Sequence, residues 1–290
     1  MKKTDDGCTI IVVTFNSAHC IPQLRFLNDV SEVVFVDNSS EDNTLELVAA
    51  EIPNAKILTN DENKGFGAAN NTALNQVKTR YSLLLNPDCI TTSVEIKKLL
   101  QAAENYPDAA IIAPHLIRRD KSVDVSYRWP HTNWISRGPQ AEGPCCVGFA
   151  SGAAILLNMQ IMRSIGFFDE TFFLYYEDED LCQRVFNHKK QIILIPDAHV
   201  THFSRGSVKG KNPLKSEFIR GYHHAQSKII FEHKHVSTKS AASLRRKTLL
   251  LAIFTLIPRV LILQPKYLAR LIGRILGLCR PHTFGARSVK

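Results

Sequence analysis

The sequence predicts an α/β fold, in which a mostly parallel, twisted sheet is flanked by helices and a basic helical extension follows at the C-terminus. Short apolar runs rich in β-branched residues alternate with helical stretches through the first part of the chain. Such runs are typical of strands that are covered on both faces, as in parallel sheets. The last part of the chain differs, because Lys and Arg become frequent there and acidic residues almost disappear.

Five apolar runs are the predicted strands, and helices are predicted between them. The strands are Cys8–Thr14, Glu32–Asp37, Ala55–Thr59, Tyr81–Asn86 and Ala109–Pro114. The helices are Ile21–Val30, Asp42–Glu51, Gly67–Val77 and Val94–Asn105. Because ligands of such sheets bind at the carboxyl ends of the strands, the polar residues that follow these runs are candidates for a binding site.

Polar segments accompany the predicted strands in chain order. Thr14–Ser17 follows the first strand, Val36–Thr44 the second, Asn63–Asn71 the third, and Asn86–Asp88 closes the fourth. Each also fits a structural role, since Asn, Asp and Ser form turns and helix caps, and a lone pair of glycines is weaker than a phosphate-binding loop. Four such segments at one edge of a sheet favour a ligand site.

Four carboxylates, Glu177 to Asp180, directly follow the aromatic run Phe172–Tyr176. Like charges this close repel and need a cation, a helix terminus or open water. A helix that begins near Asp178 would place them in its first turn, where the helix dipole favours negative charge. Acidic residues that only face solvent rarely follow such an apolar segment directly, so a functional role is the competing interpretation.

The composition is that of a globular protein with a sizeable core, with 44% apolar and 22% charged residues in a chain of 290. Seven scattered cysteines without a Cys-x-x-Cys pair favour reduced thiols in a cytosolic compartment over a zinc site or disulfides. The N-terminus lacks the apolar segment and cleavage site of a signal peptide, so none is predicted.

Charge is distributed unevenly along the chain. From residue 205 to 290, 18 Lys and Arg residues stand against 2 acids, a net charge of +16, so residues 1–204 carry −7 of the overall +9. A basic tail on an acidic body indicates a polyanionic surface as the partner of the tail. Nucleic acid is disfavoured, because no binding motif or base-stacking platform accompanies the charge.

Two segments of the tail indicate that this surface is a membrane. The apolar run Thr248–Leu263 is interrupted by Pro258 and Arg259 and is too short to span a bilayer, which needs about 20 apolar residues. The segment Tyr267–Leu278 predicts a basic amphipathic helix of the kind that lies in the interface of anionic membranes. Its cations are Arg270 and Arg274, and its opposite face carries Leu268, Leu271, Ile272, Ile275 and Leu276. Packing on the preceding α/β domain or a dimer contact is the alternative.

Seven motifs in order resemble the inverting family 2 glycosyltransferases of the GT-A (nucleotide-diphospho-sugar transferase) fold. The motifs are VVTFNS, VDNSSEDNT, NKGFGAANN, LLLNPD, GFASGAAILL, FFDETFFLYYEDEDLCQRV and HFSRGS. The chain most resembles the bacterial rhamnosyltransferase group of that family, over residues 8–235. The resemblance implies a catalytic domain over residues 1–235. The charge and the amphipathic pattern described above predict that the rest, a basic tail over residues 236–290, associates with a membrane.

The resemblance implies transfer of a sugar from a nucleoside diphosphate to an acceptor hydroxyl, with Mg²⁺ or Mn²⁺ on the two phosphates. The metal ligands are then Asp88 and His202. The Asp-x-Asp motif of the family reads Asn86-Pro87-Asp88 here, which removes one carboxylate. His199 is not included, because residues three apart on a strand point to opposite faces.

The resemblance also implies the residues that bind the nucleotide sugar. Asp37 would accept the N3–H of uracil or thymine, which favours UDP or dTDP over a cytidine nucleotide. Thr14 and Asn16 would shape the same pocket. The residues assigned to the diphosphate and sugar are Lys64, Gly65, Asn70, Asn86 and Arg205.

The four carboxylates receive roles from the same resemblance. Asp178 is the general base that takes the proton of the acceptor hydroxyl, on the face of the sugar opposite the diphosphate. Glu177 is assigned to the same catalytic step and to acceptor binding, together with Gly152 and Asp180. Glu179 is expected in solvent, and the aromatic run before it is expected to wall the sugar site.

The implied function is transfer of L-rhamnose from dTDP-rhamnose to a lipid-linked or cell-surface glycan. The expected location is the cytoplasmic face of the inner membrane, with the enzyme bound peripherally. A UDP-sugar carrying N-acetylglucosamine, galactose or galactofuranose is the alternative donor. From another class, a non-catalytic membrane-bound interaction protein is the alternative, whereas a nucleotidyltransferase would need a glycine-rich loop that VVTFNSAHC lacks.

Overall fold

The structure is a computed structural model that describes residues 4–124, 140–204, 206–208, 212–261 and 264–280. The chain divides into two compact units. The first consists of Met1–Lys64, Ala68–Phe168 and Asp178–Lys209, and the second of Gly65–Gly67, Asp169–Glu177 and Gly210–Lys290. The domain boundary predicted after residue 235 thus falls inside the second unit.

One sheet forms the centre of the first unit. Its strands are β1 (Thr4–Thr14), β2 (Val30–Asp37), β3 (Lys56–Thr59), β4 (Tyr81–Leu85), β5 (Cys89–Ile90), β6 (Ala109–Ile117), β7 (Cys145–Cys146), β8 (Ala154–Asn158) and β9 (Gln191–His202). Within the described residues the strand order is β3-β2-β1-β4-β8-β6-β9-β5, and β7 pairs with β9.

Most helices of this unit match the predicted ones to within three residues, whereas Met159–Ile165 was not predicted. The helices are a 3-10 helix (Ala18–Asp29), α1 (Thr44–Glu51), α2 (Phe66–Leu74), α3 (Ser93–Asn105), α4 (Met159–Ile165) and α5 (Glu177–Asn187). The first was predicted only as a helix. Pro22, which has no N–H to donate, lies inside it.

The sheet contains both parallel and antiparallel pairs, and its longest pairings are parallel. β1 is parallel to β2 and β4, β2 to β3, and β6 to β9. β8 is antiparallel to both β4 and β6, while β5 and β7 are antiparallel to β9. Every residue of β4 and of β8 is buried, so both have the same continuous apolar sequence signal although they run in opposite directions.

The core of the first unit lies between the sheet and its helices. Ile10 of β1, Leu83 of β4 and Leu156 of β8 are almost completely buried, as are Leu24 of the 3-10 helix and Leu99 of α3. Full burial of one such side chain contributes about 1.5–3 kcal/mol. This packing fixes the carboxyl ends of β1, β2 and β4, where the polar segments begin.

The second unit contains four helices among the described residues. They are α6 (Pro213–His235), α7 (Thr238–Phe254), α8 (Leu256–Leu261) and α9 (Pro265–Cys279). α6 and α9 pack backbone to backbone: a Cβ on Gly221 would lie 2.0 Å from the carbonyl oxygen of Arg270, and one on Gly273 would lie 2.1 Å from that of Phe218. Larger residues at these positions would force the two helices apart.

The packing of α9 differs from the orientation expected for a membrane-surface helix. Its basic side lies near α6, because Arg270 Nε is 3.7 Å from Glu217 Oε2. Burial lowers the pKa of the Arg274 guanidinium, and the positive charge of Arg270 acts in the same direction. Leu271 of the predicted apolar face is buried, whereas Ile272 and Leu276 are exposed. The helix is therefore a packing element of this unit.

The aromatic run before the carboxylates packs within the second unit, where α6 supplies its partners. Phe173 stacks on His223 with 4.2 Å between ring centroids, and Tyr175 and Tyr176 meet the edge of His224 at 5.4 and 5.5 Å. Burial lowers the pKa of His224 to about 4, and nearby Arg and Lys charges add to the effect. His224 is therefore neutral at pH 7. A sugar-facing role for this run stays a prediction.

Candidate active site

Pairing of β5 with β9 brings together the two residues assigned to a metal. Cys89 is opposite His202 in the antiparallel register, and the N–H of Phe203 donates to the carbonyl oxygen of Asp88 at 3.0 Å. His202 Nε2 consequently lies 3.6 Å from Asp88 Oδ1. Among the described residues, Asp88, Cys89 and His202 form one cluster whose ligand atoms all lie within 4.8 Å of one another.

Asp88 has one carboxylate oxygen available for a cation. The side chain is almost fully buried, and its Oδ2 accepts the N–H of Gly206 at 2.9 Å. Its Oδ1 is buried and has no hydrogen-bond partner in the part of the chain that the structure describes. A buried, unsatisfied charged oxygen is costly, and a divalent cation would satisfy it. A carboxylate and an imidazole are suitable ligands for Mn²⁺, so the residues fit a metal.

Cys89 is a weaker ligand than its two neighbours. Burial raises the pKa of its thiol well above the usual value, and the charge of Asp88 raises it further. The thiol donates to the carbonyl oxygen of Ala153 at 3.4 Å. Because the thiolate is the form that binds metals, the donor set reduces to Asp88 and His202.

His199 lies apart from this cluster, in agreement with the choice of His202 alone. It is exposed, and its backbone N–H donates to Glu95 Oε2 at 2.6 Å. The pairing of β6 with β9 is irregular between Pro114 and His115, just before His199. From His199 to Thr201 the register is regular, so the alternation of faces on which the prediction relied applies to this part of β9.

Two residues near the start of the 3-10 helix hold the segment that covers Asp88. Ser17 Oγ donates to the carbonyl oxygen of Ser207 at 2.7 Å, and His19 Nε2 lies 2.6 Å from that of Gly206. Gly206 in turn donates to Asp88. The sequence offered no signal for this role of Ser17 and His19, which are far from Gly206 in the chain. Arg205 lies outside the described residues.

The parallel pairing of β1 with β2 brings together the residues assigned to binding the pyrimidine base of the nucleotide. Thr14 is opposite Asp37, and its Oγ1 donates to Asp37 Oδ1 at 3.0 Å. Ser40 closes the turn, because its hydroxyl donates to Asp37 Oδ1 at 2.5 Å and its N–H to Oδ2 at 2.9 Å. Asn16 accepts the N–H of Glu41 at 2.8 Å. The assigned residues are therefore neighbours, and Ser40 joins them.

Buried asparagines connect this pocket to Lys64. Asn38 Oδ1 accepts from Asn60 Nδ2 and from the N–H of Lys64, both at 3.1 Å. Asn38 Nδ2 donates to Asn63 Oδ1 at 2.8 Å. Asn38 and Asn60 were not singled out in the sequence, although each directly follows the last residue of a strand, where site residues were expected.

Gly65 and the residues of α2 have local roles that the sequence only partly indicated. Gly65 has φ +88°, and a Cβ there would lie 2.3 Å from the carbonyl oxygen of Phe173, so only glycine fits. Asn71 exchanges two hydrogen bonds with the backbone of Phe168, at 2.9 and 3.0 Å. Asn70 is buried. Sugar binding by Lys64, Gly65 and Asn70 stays a prediction.

Asp178 is held by the start of β8 and by its own helix. Its Oδ2 accepts the N–H of Gly152 at 3.3 Å, and its Oδ1 accepts that of Glu179 at 3.0 Å. The next residue, Ala153, accepts the N–H of Asn86 at 2.8 Å. Gly152 and Ala153 therefore connect Asp178 to the Asn-Pro-Asp turn, which the sequence showed only as separate motifs. Asp178 is half-buried.

The other three carboxylates differ sharply in environment. Asp180 is completely buried and accepts from Arg184 Nε at 2.8 Å, while Arg184 also donates to the carbonyl oxygen of Gly166 at 2.7 Å. This arrangement favours an anchoring role for Asp180 over the predicted acceptor contact. Glu177 is buried. Glu179 is half-buried, which corrects the expectation that it lies in solvent.

The fold is of the GT-A type. The mannosyltransferase PcManGT from Pyrobaculum calidifontis, solved with GDP-Man and Mn²⁺, resembles this chain with TM-score 0.53 and 14% identity, covering 93% of this chain and 85% of its own. GalNAc-T7, solved with UDP, GalNAc and Mn²⁺, gives TM-score 0.55 and 13% identity over 77% of this chain, which spans half of that one. At these identities the likeness concerns the fold.

The chain belongs to glycosyl transferase family 2, whose profile matches residues 9–166. The N-acetylglucosaminyl-diphospho-decaprenol L-rhamnosyltransferase of Mycobacterium tuberculosis is 27% identical over 79% of this chain and 85% of its own length. The low-salt glycan biosynthesis hexosyltransferase Agl10 of Haloferax volcanii is 28% identical over 62% of this chain and 61% of its own. The predicted family, its likeness to the rhamnosyltransferases and the predicted fold are confirmed.

Proposed function

We propose that this glycosyltransferase moves L-rhamnose from dTDP-rhamnose to a lipid-linked glycan by metal-assisted inverting displacement. The metal-assisted mechanism in this proposal rests on one observation. Asp88 Oδ1 is buried, lacks a hydrogen-bond partner among the described residues and lies beside His202. The choice of sugar and acceptor rests on the similarity to the mycobacterial rhamnosyltransferase, whose name specifies a diphospho-decaprenol acceptor.

The nucleotide preference follows from Asp37. Its carboxylate accepts hydrogen bonds only, and among the described residues Oδ2 accepts one N–H, that of Ser40, which leaves a lone pair for a further donor. Uracil and thymine offer an N3–H, whereas cytosine does not. This chemistry supports UDP and dTDP donors equally, so the choice between them rests on the relative.

Asp178 and its neighbours would carry out the proton transfer. Asp178 accepts the proton of the acceptor hydroxyl while the acceptor oxygen forms its bond to the anomeric carbon and the bond to the diphosphate breaks. The N–H of Gly152 orients the carboxylate, and Arg184 with Asp180 fixes the helix that carries it. A divalent metal held by Asp88 and His202 would stabilise the negative charge of the leaving diphosphate.

The donor assignment is tested by transfer assays with purified full-length protein and Mn²⁺. The donors are dTDP-rhamnose, UDP-N-acetylglucosamine, UDP-galactose and UDP-galactofuranose, and the acceptor is N-acetylglucosamine on a short polyprenyl diphosphate. We expect kcat/KM for dTDP-rhamnose to exceed the others by at least about tenfold, because sugar hydroxyls that lose their partners weaken transition-state binding. A preferred UDP-sugar would contradict the rhamnose assignment. No transfer from any donor would favour the non-catalytic alternative.

A further inference from the structure

We propose that the exposed apolar side of α7 and α8 is a docking face for an anionic lipid bilayer. We define the docking face as Leu250, Leu251, Ile253, Phe254, Ile257 and Val260, whose exposed fractions lie between 47% and 80%. The proposal goes beyond the proposed function, because it holds whichever sugar is transferred. It also places membrane contact on other helices than the one the sequence indicated.

The docking face is continuous along the two helices. Thr255 lies between α7 and α8, and helical hydrogen bonding continues through it, because its N–H donates to the carbonyl oxygen of Leu251 at 3.0 Å and its carbonyl oxygen accepts the N–H of Arg259 at 3.4 Å. Leu250, Phe254 and Ile257 follow one another at helical spacings of four and three and therefore share one side. Ala252, on another side of α7, is buried. Exposed large apolar side chains that cluster in this way mark interaction surfaces.

The charges around the docking face complement anionic headgroups. Arg246 and Lys247 are exposed and precede Leu250 by four and three residues, so they lie one turn away on the same side. Such side chains can extend their charged ends to headgroups while their stems contact the apolar layer. The sequence contains no Asp or Glu after Glu232. A second copy of the chain would bring the same cations together, which disfavours self-association through this face.

The helix that the sequence assigned to the membrane has its cations engaged elsewhere. Arg270 lies by Glu217, and Arg274 is half-buried. In α7 and α8, by contrast, the apolar residues of the docking face and the cations of the preceding turn, Arg246 and Lys247, are exposed. Among the described residues, no helix is long and apolar enough to cross a membrane. The combination of apolar side chains and adjacent cations is typical of helices that lie in the plane of the interface.

Vesicle flotation with the full-length protein tests the proposal. We expect binding to vesicles of phosphatidylcholine with phosphatidylglycerol, weak binding to phosphatidylcholine alone, and loss of binding as salt rises. The double variant Phe254→Asp/Ile257→Asp should lose at least about tenfold in partition coefficient, because two exposed apolar side chains no longer enter the bilayer. The matched control is Val94→Asp, an exposed apolar position in α3, which should bind like wild type.

A second variant keeps the test valid if the double variant does not fold by circular dichroism. Arg246→Gln/Lys247→Gln should weaken binding to the anionic vesicles at low salt and leave the thermal unfolding midpoint unchanged, since both residues are exposed. Wild-type vesicle binding by either folded variant would overturn the proposal. So would a dimer in sedimentation velocity that the Phe254→Asp/Ile257→Asp variant separates without losing vesicle binding.

Discussion

Asp178→Asn is expected to bind the nucleotide sugar almost normally and to lower turnover by at least ~10²-fold, the usual effect of losing a positioned general base. Asparagine retains the size of the side chain and one oxygen that can accept the N–H of Gly152. It cannot accept the proton of the acceptor hydroxyl. Steady-state transfer and calorimetric donor affinity of the folded variant measure the two effects separately.

Two neighbouring substitutions serve as controls for Asp178→Asn. Glu179→Gln is expected to change turnover little, because Glu179 has no assigned role. Glu177→Gln should raise the acceptor KM more than it affects donor binding. If the four carboxylates only stabilised the start of the helix, all three variants would show small, similar losses of folding stability. If Asp178→Asn kept normal turnover and Glu179→Gln lost turnover, the assignment of Asp178 as the general base would be contradicted.

Asp88→Ala is expected to abolish measurable transfer, and His202→Ala to weaken it strongly. Asp88→Ala removes the one buried carboxylate of the cluster. It thereby removes Oδ1, the oxygen that lacks a hydrogen-bond partner within the described residues. Charge stabilisation at a leaving diphosphate is worth several kcal/mol, and each ~1.4 kcal/mol is tenfold in rate, so a loss of at least ~10³-fold is expected. Transfer rates across a Mn²⁺ titration measure it.

Cys89→Ser is the matched control for Asp88→Ala. Cys89 belongs to the same cluster, but its protonated thiol bonds to Ala153. A hydroxyl can make the same hydrogen bond, so Mn²⁺ affinity by calorimetry should stay within a few-fold of wild type. Near-normal turnover by Asp88→Ala would contradict the metal assignment. Loss of Mn²⁺ binding in Cys89→Ser would show that the sulfur is a ligand.

Five strands and most helices of the first unit could be predicted, because continuous apolar runs and helical spacing are local signals. The direction of β8 could not, since its fully buried run looks like that of β4. Orientation depends on the connections between strands rather than on the residues within them. The meeting of Asp88 with His202 depends on β5, a strand of only two residues, which has no periodicity to detect.

The role of α9 shows a second limit of sequence patterns. The spacing of its Arg and apolar residues shows that Tyr267–Leu278 is amphipathic. It does not show which side of the helix packs against the neighbouring helices. The decisive residues are Gly221 and Gly273, whose missing side chains allow α6 and α9 to touch and place Arg270 near Glu217. The role of Asp180 could not be predicted from the sequence either, because only the structure shows that Arg184 donates a hydrogen bond to its carboxylate.

The anomeric configuration of the product tests the central claim most directly. Purified full-length protein would transfer the sugar to the short polyprenyl-diphosphate acceptor, and nuclear magnetic resonance would report the configuration of the new glycosidic bond. A single displacement with Asp178 as base predicts a product whose configuration is the inverse of that of the donor. Retention would contradict it, because it requires two displacements and a carboxylate that attacks the sugar itself.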